Sequence, residues 1–110
     1  MQYWLTLSDK NPKRTDYMEF LPGTFHGKFW NPDSLYCKEE VFDEFLLPVF
    51  QKCIPDFDPY VNTTISASQW KQITSKASQQ YPSAQSVLKE AQDWFTSVWQ
   101  SYDTITLLGL

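Results

Sequence analysis

SAQSVLKEAQDWFTSVWQSY, residues Ser83–Tyr102, carries the longest helical period in this chain of 110 residues. Ala84, Val87, Leu88, Ala91, Trp94, Phe95, Val98, Trp99 and Tyr102 recur at spacings of three and four, and Gln85, Ser86, Lys89, Glu90, Gln92, Asp93, Thr96 and Gln100 fall on the other side. Two tryptophans and a phenylalanine on one stripe need a large partner surface, because each fully buried aromatic contributes on the order of 1.5–3 kcal/mol. The spacing predicts one unbroken core helix, ended by Asp103, packed on a sheet. The stripe accounts for fold and brings no chemistry.

The sheet has to come from β-favouring segments elsewhere. Gln2–Leu7 alternates, with Tyr3, Leu5 and Leu7 on one side and Trp4 and Thr6 on the other. Tyr60–Ile65 sets Val61, Thr63 and Ile65 against Tyr60, Asn62 and Thr64, and Thr104–Leu108 is β-branched and apolar. A further short strand is expected near Thr24–Trp30, in a run punctuated by Pro22, Gly23 and Gly27 where Phe25 and Phe29 alternate with His26, Lys28 and Trp30. Ser8–Asp16, rich in breakers and charges, reads as a surface turn, and the apolar end at Leu107, Leu108 and Leu110 is expected to be ordered in the sheet.

Two more helices are announced by their caps. Asn31-Pro32-Asp33-Ser34 is a stop followed by N-cap residue types, and Val41, Phe42, Phe45, Leu46, Val49, Phe50 and Cys53 then form a broad apolar stripe. Pro48 inside that stripe predicts a kink or two shorter pieces, since an interior proline costs about 3 kcal/mol. Ile54–Pro59 is a break. Ser66 and Gln69 form a capping box, with Ile65 and Trp70 placed as its hydrophobic staple, so a short helix starts there and carries Trp70, Ile73 and Ala77 inward. Tyr81-Pro82 then opens the long helix. The order of elements predicts a single α+β domain over residues 1–110: a small, mainly antiparallel sheet with about three helices packed on one face.

Composition narrows the class of function. With 42% hydrophobic and 17% aromatic residues the chain can build a core without staples. Cys37 and Cys53 are far from any CxxC or metal-ligand spacing, and no secretory signal pattern precedes them, so a reduced cytoplasmic protein is expected. No apolar run reaches the ~20 residues that cross a bilayer. The net charge of −4 is concentrated: residues 29–58 hold Asp33, Glu39, Glu40, Asp43, Glu44, Asp56 and Asp58 against Lys38 and Lys52, while the flanking segments are nearly balanced. Such a face repels nucleic acid, whose binding needs Lys and Arg to displace counterions, and attracts a basic protein.

Within the predicted helix, Glu39 with Asp43 and Glu40 with Glu44 are four residues apart, which costs a few tenths of a kcal/mol per like-charged pair. Two explanations stay open: a solvated face near a helix N-terminus that tolerates acids, or a surface made for a cationic partner. Asp56 and Asp58 add two carboxylates in the following break. Tyr36, Phe57 and Tyr60 are the aromatics positioned in sequence to supply contact area at the edge of such a patch.

Enzyme motifs are absent: the chain has no P-loop, GxGxxG, GxSxG or HExxH. His26, the single histidine, has no neighbouring group to orient it as a general base. Asp56-Phe57-Asp58 lacks the further oxygen ligands of a calcium loop. No catalytic residue, metal or cofactor is assigned, and a binding protein is the expected class.

From Asp33 to the C-terminus the succession of segments is similar to small cytosolic immunity proteins that accompany bacterial polymorphic toxins, including contact-dependent growth-inhibition systems. The likeness rests on Glu39-Glu40-Val41-Phe42-Asp43-Glu44-Phe45, the break Pro55-Asp56-Phe57-Asp58, Ile65-Ser66-Ala67-Ser68-Gln69-Trp70, the Trp94 helix and Thr106-Leu107-Leu108-Gly109-Leu110. The resemblance implies a protein that binds the toxic domain of a cognate effector, often a cationic nuclease, and blocks it. It carries no fixed set of functional residues. The expected partner-binding residues, Glu39, Glu40, Asp43, Glu44, Asp56, Asp58 and Tyr60, follow from the charge pattern, and an adaptor module that binds another basic protein is the alternative.

Overall fold

The alternation of β2 (Tyr17–Pro22) sorts the molecule into two sides. Met18 and Phe20 point to one side and Tyr17, Glu19 and Leu21 to the other, yet all five are buried, so each face of this central strand is covered. A computed structural model describes residues 3–10 and 13–109. Around β2 the remaining strands are β1 (Trp4–Leu5), β3 (Leu35–Lys38), β4 (Thr63–Ser66) and β5 (Thr104–Leu108), in the spatial order β1-β3-β2-β5-β4. Every pairing is antiparallel, with Glu19 opposite Tyr36 on one flank and Leu108 on the other.

Helices cover the Phe20 side. They are α1 (Glu39–Val41), a π-helical turn (Phe42–Leu46), α2 (Leu47–Cys53), α3 (Ala67–Gln80), α4 (Pro82–Glu90) and α5 (Gln92–Ser101). The architecture is α+β, as the order of elements predicts. The core is an aromatic cluster centred on Phe20, whose ring lies 5.0 Å from Trp4, 6.3 Å from Phe42, 6.4 Å from Phe50 and 5.9 Å from Phe95. Trp70 stacks on Phe95 at 4.3 Å, tying α3 to α5.

The expected unbroken helix over 83–102 is instead two helices that meet at Ala91 (φ −107°, ψ 17°). Competition for hydrogen bonds is the cause. The indole Nε1 of Trp4 donates to Val87 O at 2.7 Å, the carbonyl that Ala91 N would take in a continuous helix, and Ala91 N turns to Leu88 O at 3.2 Å. Glu90 Oε1 then accepts from Tyr3 N and Trp4 N, so the break is the dock for β1. Tyr102, expected on the buried stripe, is exposed.

Other boundaries shift for similar reasons. No strand forms over 24–30; the second strand is Tyr17–Pro22, and 24–34 is a loop lying over the Glu19 side. Ser34 caps no helix: Leu35–Lys38 is a strand and the helix begins at Glu39. The strand expected over Gln2–Leu7 is reduced to Trp4–Leu5, with Trp4 buried in the core; Met1, Gln2, Asn11, Pro12 and Leu110 lie outside the described residues. β4 starts at Thr63 rather than Tyr60, and α3 continues through the polar 75–80 stretch to Gln80. The break anticipated at Pro48 lies just before it: Leu47 N reaches back five residues to Phe42 O, and Pro48 falls in the first turn of α2. The capping box stands as read, with Gln69 N donating to Ser66 Oγ at 3.2 Å and Ser66 N to Gln69 Oε1 at 2.9 Å.

Candidate functional site

Six of the seven acids of the central third sit on two segments that Phe57 holds together, while Asp33 lies apart on the 24–34 loop. Burial of Phe42, Leu46, Val49 and Phe50 turns the intervening Glu40, Asp43 and Glu44 to solvent, and Glu39, at the start of α1, is half-buried. Glu39 N donates to Asp16 O at 2.9 Å, which fixes where the helix leaves the sheet. Phe57 is driven into the core, 5.9 Å from Phe42 and 5.5 Å from Phe50, and so pins the 54–62 loop against the same helical segment. Its neighbours Asp56 and Asp58 stay exposed, and Asp58 Oδ1 accepts from Tyr60 N at 2.9 Å to shape the turn.

None of these six carboxylates forms an ion pair among the described residues. The salt bridge there joins Arg14 to Asp16, with Arg14 Nε donating to Asp16 Oδ1 at 2.9 Å. That hydrogen bond holds the Asp16 carboxyl below its ordinary value. Glu40 is close enough to add a minor favourable charge to Arg14 without pairing with it.

Of the aromatics expected at the edge of the patch, Tyr36 and Phe57 are buried and cannot serve. Tyr36 lies under the 24–34 loop and Phe57 fills the core beneath the acidic loop. Tyr60 is 64% exposed, and Val61 beside it 53%. His26 is exposed and stacks on Phe25 at 6.5 Å. Among the described residues no three His, Cys, Asp or Glu side chains are grouped to hold a metal, and no helix is long and apolar enough to cross a membrane.

Sequence reasoning missed Glu19. It is 3% exposed in the middle of β2, and its carboxylate accepts from Trp30 N (2.7 Å), Asn31 N (3.0 Å), Asn31 Nδ2 (2.9 Å) and Ser34 Oγ (2.6 Å). These bonds fold the 24–34 loop over the sheet. They also hold Trp30 at φ 62°, a left-handed conformation uncommon for a bulky residue, with its ring stacked on Tyr36 at 5.7 Å. Burial, and then the negative charge of Glu19, push the Tyr36 hydroxyl above its ordinary value, and that hydroxyl donates to Asn31 O at 2.7 Å. The available signal was a lone Glu inside Tyr17-Met18-Glu19-Phe20-Leu21, an apolar run with strand propensity.

Beside this loop, a depression of about 840 Å³ opens between the start of β2 and the end of β5. Glu19, Tyr17, Trp30, Phe29 and Leu108 line it, and Glu39 at its rim links it to the acidic helix. A second hollow, of about 400 Å³, lies between α3 and the α4–α5 pair over Trp70, Phe95 and Trp99.

Comparison with protein-family models, with curated proteins and with solved structures finds no significant match to this chain.

Proposed function

We propose that this protein is an immunity protein that binds a cognate toxin domain, a cationic nuclease, in the cytoplasm and neutralises it through its acidic surface. One observation carries the reading: Glu40, Asp43, Glu44, Asp56 and Asp58 are exposed, have no ion pair among the described residues, and lie on two segments joined by the Phe42–Phe57 contact. Uncompensated like charges weaken the free protein slightly, and a basic partner turns that repulsion into attraction. A nuclease that grips phosphates presents Lys and Arg of the complementary sign, and an acidic face raises its association rate by steering. Tyr60 and Val61, exposed just past Asp58, supply the apolar area that steering alone lacks.

The test is the association rate with the toxin domain encoded immediately upstream, measured by stopped flow for the parent and for Glu40→Lys/Glu44→Lys. Both positions are exposed, so the double variant is expected to fold. Its association should slow by about tenfold or more at low salt, with a flatter salt dependence. An unchanged rate refutes the proposal.

A further inference from the structure

The two edges of the sheet are built differently. β1, at one end of the order β1-β3-β2-β5-β4, is two residues long and docked on Glu90. At the other end β4 and the Tyr60–Asn62 stretch before it contain no charged residue and no proline. Shortness, charge and proline are the means by which edge strands avoid pairing with another chain, and β4 with its approach has neither of the last two. Asn62 and Thr64 are exposed there, next to the exposed Tyr60 and Val61. The stretch is also held in place: Gly109 N donates to Asn62 Oδ1 at 2.8 Å, and a Cβ on Gly109 would lie 2.5 Å from Val61 N.

Hydrogen-bond parity shows which backbone groups of β4 point outward. Thr104 O accepts from Gly23 N at 2.8 Å, on the β2 side of β5, so Thr104 turns away from Ser66, its opposite number in β4. Ser66 N agrees, since it donates to Gln69 Oε1 at 2.9 Å rather than to β5. Antiparallel pairs alternate, so Thr63–Leu107 and Ile65–Ile105 are the bonded pairs and the N–H and C=O of Thr64 face outward. The same alternation turns those of Asn62 outward. Apart from the pairing with β5, no backbone–backbone hydrogen bond among the described residues involves Asn62 or Thr64.

We propose that β4 pairs antiparallel with β4 of a second copy of this chain, across a two-fold axis at Thr63, joining the two sheets into one. The register is the one that uses every outward group: Asn62 lies opposite Thr64 of the second copy and Thr64 opposite its Asn62, and each pair exchanges both backbone bonds. A shift by two residues either way brings in Ser66 or Tyr60, whose N–H groups are already bound to Gln69 and Asp58. Charge selects a second copy over a basic strand. The middle of the edge is uncharged, but its ends differ: the exposed Asp56 and Asp58, without an ion pair among the described residues, precede it, and the N-terminus of α3, with Lys71 exposed in its second turn, follows it. Antiparallel pairing carries each acidic end to the start of α3 in the other copy, twice by symmetry. Val61 comes to lie opposite Ile65 of the second copy. Glu40, Asp43 and Glu44 lie on another segment and take no part, so the inference goes beyond the proposed function and does not rest on it; a partner that needs Val61 meets the monomer.

The intact protein is followed by sedimentation equilibrium and amide hydrogen exchange from about 10 to 500 µM, the range in which so small an interface associates. The average mass should rise from that of one chain towards that of two. Thr64 N–H, turned outward in the monomer, should exchange about threefold more slowly at the highest concentration, while Ile65 N–H, already bonded to β5, does not change. Thr63→Lys sets two ammonium groups opposite each other on the axis and should return both readouts to those of the monomer. A second variant needs no such disruption: Thr63→Cys, in a Cys53→Ser chain with oxidised glutathione, should form an intermolecular disulfide about tenfold faster than Thr64→Cys, because position 63 alone meets itself across the axis. A mass of one chain throughout, protection that spares Thr64, an undiminished Thr63→Lys dimer, or equal cross-linking at 63 and 64 overturns the inference. Thr64 protection that appears only when the toxin domain is added assigns the edge to that partner and overturns it as well.

Discussion

Replacing Glu19 with Gln tests whether one buried carboxylate holds the back of the sheet together. The side chain accepts four hydrogen bonds, one on Oε1 and three on Oε2. A carboxamide has one acceptor oxygen and one donor nitrogen. If the nitrogen takes the Oε2 place, three donors face a donor; if it takes the Oε1 place, only Trp30 N is orphaned. The second orientation wins, so the variant loses one charge-assisted bond and weakens three. Each bond to a charged group contributes about 1.5–3 kcal/mol, and a neutral acceptor recovers part of it for the three that remain. Removal of a buried charge works the other way, because its desolvation cost disappears. With four fixed donors already standing in for water, that gain is small, and a net loss of about 2–3 kcal/mol is expected. For a domain of this size the melting midpoint should fall by about 10–20 °C. The loop gives a second, local readout: Lys28 is exposed within the 24–34 segment, and tryptic cleavage there should accelerate as the segment loosens. A Glu19→Gln protein as stable as the parent, with unchanged cleavage at Lys28, would show that desolvation of the charge outweighs its hydrogen bonds and that the loop is held by ring packing instead.

Three further outcomes are expected. Ser66→Ala removes the side-chain half of the capping box and should cost about 1 kcal/mol, read as a lower urea midpoint with unchanged slope. Trp4→Phe keeps a ring against Phe20 and Phe95 but deletes the indole bond to Val87 O. Amide exchange should then speed up around Ala91, together with a stability loss of about 1–2 kcal/mol. Stability should also fall above about pH 9. Burial, and then the charge of Asp43, hold the Cys37 thiol above its ordinary 9.0, and burial with Glu19 does the same for Tyr36 above 10.0. The folded state keeps both protons while the unfolded chain releases them, so their contribution is complete below the unfolded values and is lost as pH rises. Cys37→Ala should flatten the first part of that decline in urea titrations between pH 8 and 10.5, and a decline of equal slope in this variant would refute the assignment.

The periodicities that local chemistry sets by itself were readable. Ser66–Gln69 and the Ile65–Trp70 staple mark the start of α3 because a cap is satisfied by residues within one turn. Pro48 announced a broken helix, and Thr104–Leu108 a strand, for equally local reasons. The exposure of Glu40, Asp43, Glu44, Asp56, Asp58 and Tyr60 agrees with the pattern of polar positions between apolar ones.

What escaped the sequence was settled by partners far away along the chain. Ala91 interrupts a flawless helical stripe because Trp4, 83 residues before Val87, claims its carbonyl. Tyr36 and Phe57 have the character of interface aromatics, but the loop over one and the core around the other bury them. Glu19 sits in an apolar strand because four donors 11 to 15 residues downstream replace the water it gives up. Local propensity and spacing determined the start of α3, the break near Pro48, the strand Thr104–Leu108 and which carboxylates of the acidic helix and the following loop face solvent, but not the strands Tyr17–Pro22 and Leu35–Lys38. The tertiary structure alone decided which hydrogen bonds are taken from a helix and where a buried charge can be held, since both depend on groups that only the folded chain brings within 3 Å.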